Sequence, residues 1–293
     1  MRFLVTGAGG MLGHDLCTVL AERAEANVVA ATHAELDITD RAAVLDAVAG
    51  TDIVFNAAAW TDVDGAEAAE GLATAVNGHA MRTLAEAAGQ RFFHFSTDYV
   101  FDGTATTPYN EDASPSPINA YGRGKAIGEQ AVLATGGYVV RTAWLYGEHG
   151  PNFVRTILGL ATERESIDVV DDQEGPPTWS YALAEQTVAL AHAAAAGRAA
   201  PGIYHGTAAG STTWLGLARA IFHEAGLDPR RVRPTTSANF QRSARRPAYS
   251  VLGHDRWRPA GVNPLPDWLT MLSTALPTLL RPRSHGPSHG GGV

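Results

Sequence analysis

The sequence predicts an α/β fold, a Rossmann-type doubly wound parallel sheet with a smaller α/β substrate domain. The chain opens with an apolar strand, a glycine-rich turn and a helix, and strand-like apolar runs then alternate with alanine-rich helical stretches. This alternation is typical of a parallel sheet with helices on both faces. The pattern changes near residue 148, so we assign 1–147 to one domain and 148–280 to a second, interleaved with it. Residues 281–293 are rich in Pro, Gly, Ser and His, a composition that indicates a disordered tail.

The individual elements follow from these apolar runs. In the first domain we expect five strands, Phe3–Thr6, Val28–Thr32, Ile53–Ala57, Phe92–Ser96 and Val139–Thr142, and helices at Ala42–Val48, Ala69–Ala88 and Tyr121–Ala134. In the second we expect helices over 153–162, 181–195 and 214–225, strands over 167–170 and 203–205, and a Gly/Pro-rich loop over 171–178.

The turn after the first strand carries glycines at every third position, Gly7, Gly10 and Gly13. Glycines there let the backbone approach a pyrophosphate, and the N-terminus of the following helix offers unpaired N–H groups. The first domain is therefore expected to bind a dinucleotide. The turn residues that we assign to this site are Gly7, Gly9, Gly10, Met11, Leu12 and Gly13.

The end of the second strand bears on the choice of dinucleotide. An NAD-selective site usually has an acid there to hold the ribose 2′-OH. This strand ends in Thr32 and His33, and Glu35 comes slightly later. The missing acid and the histidine favour NADPH, with NADH as the alternative.

A tyrosine and a lysine four residues apart, Tyr121 and Lys125, begin a predicted helix. Side chains at this spacing lie on one helical face, where the lysine charge would lower the pKa of the phenol. Thr97, at the end of a strand, would donate a hydrogen bond to the substrate oxygen that receives the phenol's proton. This is equipment for delivering a proton to a ketone while hydride arrives from a nicotinamide.

Composition limits the class of protein. A net charge of −8 argues against nucleic acid as a partner. Cys17 is the single cysteine, which excludes an internal disulfide and a cysteine-based zinc site. The first strand begins at residue 2 and is far too short to span a membrane. We therefore expect no signal peptide and no membrane partner, a cytoplasmic location and no resident metal.

Nine stretches, in order along nearly the whole chain, resemble the dTDP-4-dehydrorhamnose reductase family, a branch of the extended short-chain dehydrogenase/reductases. The fourth and the ninth discriminate best. The stretches are Val5–Gly13, Glu35–Asp40, Asn56–Asp64, Ser96–Gly103, Tyr109–Asp112, Asn119–Lys125, Arg141–Gly147, Asp172–Thr178 and Ala244–Pro247.

The resemblance implies a role for each matched residue. Tyr121 would be the proton donor, Lys125 would bind the nicotinamide ribose and tune Tyr121, and Thr97 would bind the keto oxygen. Asp98 and Trp144 would contact the sugar. The segments that would line the cofactor contain Asp37, Ile38, Ala58, Ala59, Trp60 and Thr61. The substrate would be a dTDP-linked 4-keto-6-deoxy sugar reduced at C4, and a homodimer stays an option.

Several of these residues have a structural alternative. Thr97 and Asp98 could cap the next turn, and Trp144 could be a core tryptophan at a strand end. Arg245 and Arg246 could be a solvated pair, but a diphosphate needs fixed cationic donors and arginine supplies them. We therefore expect both arginines to contact the diphosphate.

Other functions also stay open. A nucleotide-sugar epimerase or dehydratase would share the fold, but dehydratases carry an Asp-Glu pair where this chain has Asp98 and Tyr99. A non-catalytic, dinucleotide-binding regulatory subunit is a third alternative, and the presence of Tyr121 and Lys125 weighs against it.

Overall fold

The computed structural model describes residues 1–23 and 27–280, so the expected disordered tail lies outside the described residues. Its first half alternates strands and helices in the predicted order. These elements are β1 (Arg2–Thr6), α1 (Met11–Glu22), β2 (Asn27–Ala31), α2 (Arg41–Val48), β3 (Ile53–Asn56), α3 (Val63–Ala68), α4 (Glu70–Thr74), α5 (Ala80–Ala88), β4 (Phe92–Thr97), α6 (Ala120–Ala134) and β5 (Tyr138–Thr142). All five strand predictions are confirmed to within one residue at each end.

The second half has longer helices and short strands. Its elements are β6 (Leu145–Tyr146), α7 (Phe153–Glu163), β7 (Ile167–Val170), β8 (Glu174–Gly175), β9 (Thr178–Trp179), α8 (Ser180–Ala195), β10 (Gly202–His205), β11 (Thr212–Thr213), α9 (Trp214–Glu224), β12 (Val232–Thr235) and α10 (Trp268–Leu279). The segment expected to be a plain loop, 171–178, therefore contributes β8 and the start of β9.

The main sheet has six strands in the order β10-β5-β4-β3-β1-β2, and every neighbouring pair is parallel. Its sixth strand, β10, comes from beyond residue 148, and α8 from the same region packs against α1. The two regions defined on the sequence therefore share one sheet. Every residue of β3, β4 and β5 is buried, as expected for strands covered on both faces.

The sheet has an apolar layer on each face. One contains α1 and α8 and the other contains α2 and α5, while a third core lies between α7, α9 and α10 in the second half. Cys17 is half-buried and packs against the first of these layers. No helix among the described residues is long and apolar enough to cross a membrane.

The helix expected over Ala69–Ala88 is not continuous. A π-helical segment, Ala75–His79, separates α4 from α5. Gly78 lies in this segment, and a Cβ there would be 3.0 Å from the Gly124 carbonyl oxygen and from Ile127 on α6. The glycine, for which the sequence offers no reason, therefore allows α6 to approach closely.

Candidate active site

The glycine turn brings β1, β3 and α1 into direct contact. Gly7 has φ +68°, and a Cβ there would lie 2.6 Å from the Ala58 Cα. A Cβ on Gly13 would lie 2.8 Å from the Ala8 Cα. Both positions therefore exclude a side chain, which explains two of the three spaced glycines.

The N-terminus of α1 suits an anion. Gly10 is its N-cap, no side chain caps the helix, and the first turn carries no acid. Gly9 and Gly10 are exposed, and Met11 is half-buried beside them. Free N–H groups and the positive end of a helix dipole fit the diphosphate of a dinucleotide.

An acid does stand at the end of β2, contrary to the expectation from the sequence. Glu35 folds back so that its Oε2 accepts from the Thr32 amide at 2.9 Å and the Thr32 hydroxyl at 2.8 Å. These bonds lower the pKa of Glu35. His33 is exposed, and Asp37 accepts from the amide and hydroxyl of Thr39.

The segment after β3 is held by Asn77, a residue that the sequence reasoning missed. The Asn77 Oδ1 accepts from the Trp60 amide and its Nδ2 donates to the Trp60 carbonyl, both at 2.9 Å. Asn77 is 1% exposed and belongs to the π-helical segment. An Asn-Gly pair inside a predicted helix was the available signal. The half-buried Ala58 and Ala59 and the exposed Thr61 complete the segment.

Thr97 and Asp98 lie where β4 ends. The Thr97 hydroxyl donates to Asp98 Oδ1 at 3.0 Å and accepts from the Tyr99 amide at 3.1 Å, so Thr97 does cap the turn. It also lies close enough to the Tyr121 phenol to act on the pKa of that group. Burial raises the pKa of Asp98 to about 7. Thr97 thus caps the turn, and its role toward the substrate stays a prediction.

Tyr121 and Lys125 project from the start of α6, which Asn119 caps through the Gly122 amide at 2.8 Å. Their electrostatics differ from the expectation. Burial, followed by the charge of Asp98, raises the pKa of Tyr121 instead of lowering it. The Lys125 ammonium donates to the Phe95 carbonyl at 2.9 Å, and burial lowers the pKa of Lys125 to about 8.

Trp144 follows β5 in the left-handed region, with φ 47°, the only such non-glycine residue in the described chain. A bulky residue in this region is strained, and such strain is concentrated at functional sites. The half-buried ring stacks on Trp214 with centroids 3.5 Å apart and planes 5° apart. The ring also packs against the core between α7, α9 and α10, and its contact with the sugar stays a prediction.

The two arginines after β12 have different surroundings. The Arg246 guanidinium binds both oxygens of Asp64, at 3.0 and 2.7 Å, and is thus already paired with a carboxylate. Arg245 is exposed and its carbonyl accepts from Asn119 Nδ2 at 2.8 Å. Both arginines line the cavity described next, and their contact with a diphosphate stays a prediction.

A cavity of about 800 Å³ opens between these arginines and α7. Its walls include two aromatic rings, the Tyr99 side chain and three cations, a mixture suited to an aromatic base and an anionic group. These residues are Phe153, Trp214, Tyr99, Arg242, Arg245 and Arg246. Within the described part of the chain, no group of three or more His, Cys, Asp or Glu residues could hold a metal ion.

A family model described as "RmlD substrate binding domain" matches residues 1–281. The chain belongs to the dTDP-4-dehydrorhamnose reductase (RmlD) family. The resemblance inferred from the nine stretches is confirmed.

Members of the RmlD family resemble the chain over nearly its whole length. It is 52% identical over 287 residues to a dTDP-4-keto-6-deoxy-D-glucose reductase of Streptomyces niveus, covering 95% of this chain and 97% of that one. It is 50% identical over 286 residues to a dTDP-4-dehydrorhamnose reductase of Streptomyces griseus, covering 95% and 94%. The solved dTDP-4-dehydrorhamnose reductase of Bacillus anthracis in complex with NADP is 36% identical, with a TM-score of 0.88, covering 94% and 98%.

Proposed function

We propose that this protein reduces the C4 ketone of a dTDP-linked 4-keto-6-deoxyhexose, with NADPH as the hydride donor. The observation that carries the proposal is the convergence of Tyr121, Thr97 and Lys125 at the end of β4, on the same edge of the parallel sheet as the uncapped N-terminus of α1. The relatives from S. niveus and S. griseus, both named as reductases of such sugars, support the substrate class.

The chemistry needs one hydride and one proton. A bound nicotinamide supplies the hydride to C4, and the electron pair of the carbonyl moves to its oxygen. Tyr121 gives that oxygen its phenolic proton, while the Thr97 hydroxyl lies close to the phenol. Since burial raises the pKa of Tyr121, the phenol holds its proton until the oxyanion develops. The Lys125 charge would stabilise the tyrosinate that remains.

The substrate would extend from this point into the cavity. Asp98 and Trp144 would contact the sugar, because Asp98 follows Thr97 at the end of β4 and Trp144 follows the neighbouring strand β5. Arg245 is the residue that we assign to the diphosphate, since Arg246 is bound by Asp64 and positions the loop. The aromatic walls, Phe153 and Trp214, would take the base.

NADPH is supported by the NADP complex of the B. anthracis reductase. In this chain the Glu35 carboxylate lies where a dinucleotide fold places the adenosine ribose, so NADH stays the alternative donor. The relatives' names cover two related 4-keto-6-deoxy sugars, and the proposal is the class that they share.

The substitution Tyr121→Phe tests the proposal. Removing the proton donor should lower kcat by roughly 10²–10⁴-fold and leave NADPH affinity nearly unchanged. Turnover is followed by nicotinamide absorbance with a dTDP-4-keto-6-deoxy sugar, and affinity by NADPH fluorescence. The matched control is Tyr204→Phe on β10. It removes a phenol that donates to the Ala200 carbonyl, and it should keep full activity. Wild-type turnover by the Tyr121→Phe protein would refute the assignment.

A further inference from the structure

A buried ion pair lies beneath the helix that carries Tyr121 and Lys125. Arg141 on β5 is fully buried and Glu129 on α6 is 2% exposed. The Arg141 Nε donates to Glu129 Oε1 at 2.9 Å and its Nη2 donates to Oε2 at 2.7 Å. A two-point pair of this kind fixes the carboxylate in orientation as well as in position.

Further contacts immobilise the pair. The Ser96 hydroxyl on β4 donates to Glu129 Oε1 at 2.5 Å. The third side of Arg141 meets His205 Nε2 at 3.4 Å, and its guanidinium lies 4.9 Å from the centre of the Phe101 ring. Ser96 on β4 and Arg141 on β5 therefore fix the Glu129 carboxylate against the sheet, and it cannot rotate away from these partners.

Lys125 lies one helical turn before Glu129, on the same face of α6. It is 3% exposed and its ammonium donates to one backbone carbonyl, that of Phe95. The strands under α6 carry two basic side chains, His94 on β4, which is buried and neutral with a lowered pKa, and Arg141 on β5, the cation that is bound to Glu129. Neither can balance the charge of an ammonium.

We infer that Glu129 is a positioning residue that keeps Lys125 a buried ammonium, with Arg141 and Ser96 fixing the carboxylate for that purpose. Burying an ammonium without a nearby anion is so costly that the group gives up its proton. The inference rests on the proposed role of Lys125, because a neutral amine could not stabilise a tyrosinate.

The sign of the pH effect follows from two opposing influences on Lys125. Burial lowers the pKa of Lys125 to about 8, and the Glu129 charge opposes that shift. Replacing Glu129 by a neutral residue removes the opposition and leaves Arg141 unbalanced, so the pKa of Lys125 falls further. The ammonium is then lost at a lower pH than in the wild type.

The test uses Glu129→Gln, the double variant Glu129→Gln/Arg141→Met and the conservative Glu129→Asp. We measure the alkaline limb of the kcat/KM profile and, without any sugar, the pH dependence of NADPH affinity. Glu129→Gln should move the limb to lower pH by about one unit or more, and the double variant should move it in the same direction by less, because it also removes the Arg141 charge. Glu129→Asp should restore most of the wild-type limb. Ser96→Ala, which removes one hydrogen bond to Glu129 but leaves both charges, should move the limb less than Glu129→Gln does.

The double variant separates this role from a structural one, because it removes both buried charges and so avoids an unpaired Arg141 if the single variant does not fold. A folded double variant with the wild-type limb would overturn the inference, since Glu129 would then serve Arg141 alone. The NADPH profile needs no sugar, so a shift there supports the inference even if the proposed substrate is wrong. A wild-type NADPH profile in both neutral variants also overturns it.

Discussion

Burial shifts the pKa values of Tyr121, Lys125 and Asp98 in the directions that favour the neutral form of each side chain. The pKa of Tyr121 rises, that of Asp98 rises to about 7, and that of Lys125 falls to about 8. A protonated phenol is the state that a proton donor needs before hydride arrives. Burial thus opposes the charged form of each of these three residues. For Lys125 to stay an ammonium it needs a nearby anion, and we propose that Glu129 is that anion.

Glu35 offers a residue-scale test of dinucleotide choice. Because its carboxylate lies at the end of β2, it would repel a ribose 2′-phosphate and accept a bond from a 2′-hydroxyl. We expect Glu35→Gln to tighten NADPH binding by about threefold and to leave NADH binding equal or weaker. Binding is measured by nicotinamide fluorescence at low salt.

The control is Glu163→Gln, which removes an exposed carboxylate at the end of α7. Equal tightening for both variants would show a general charge effect. An unchanged ratio of NADPH to NADH affinity in Glu35→Gln would remove this residue from dinucleotide selection.

The identities of these residues could be predicted and their electrostatics could not. The spacing of Tyr121 and Lys125 places both on one helical face, but a sequence carries no measure of how deeply that face is buried. The sequence places Glu35 beyond the end of the strand. Only the folded loop shows that its carboxylate returns to Thr32.

At the scale of an element, the π-helical segment, Ala75–His79, connects the scaffold to the site. It turns Asn77 toward Trp60 and brings Gly78 against α6. π-helical turns are rare and occur often at functional sites. The alanine-rich stretch predicts one continuous helix, because composition alone does not mark a single wider turn.

Gly78→Ala should therefore destabilise the protein by about 1 kcal/mol, because the added methyl meets the backbone of α6. Urea unfolding at fixed pH measures the change. Gly159→Ala is the matched control, since Gly159 lies within α7 with nothing within 4 Å of the added Cβ. The control should stabilise the protein by up to about 1 kcal/mol. Equal gains in both variants would show that α6 yields without cost.

At the scale of the whole molecule, an ion pair ties the loop after β12 to the first half of the chain. Asp64 accepts from Arg246 and also from the Ala244 amide at 3.0 Å. The pair lowers the pKa of Asp64, so the contact persists at neutral pH and weakens only as the solution becomes strongly acidic. Asp64 thus holds the loop that carries Arg245 in place along the wall of the cavity.

Asp64→Asn should raise KM for the sugar nucleotide roughly tenfold, because charge-assisted bonds of about 1.5 kcal/mol are lost from the loop. NADPH affinity should hardly change. Steady-state kinetics measure the effect, with Asp228→Asn as control because Asp228 pairs with Arg230 in its own exposed turn. Unchanged KM in Asp64→Asn would show that the cavity wall does not need this contact.

The positions of the first five strands along the chain could be predicted because each is a short apolar run and helical stretches separate it from the next. The partner of Arg246 could not, since Asp64 is 182 positions away and nothing local to either residue indicates the pairing. The place of β10 in the first sheet is non-local in the same way.

That place of β10 has a consequence for synthesis on the ribosome. Until residues 202–205 emerge, β5 is the outermost strand of the nascent sheet, and its unpaired amides and carbonyls can template pairing with another chain. All five residues of β5 are buried once β10 has joined. A polypeptide released after residue 147 would keep that unpaired edge, so the half of the chain that carries Tyr121 depends on translation continuing past residue 147.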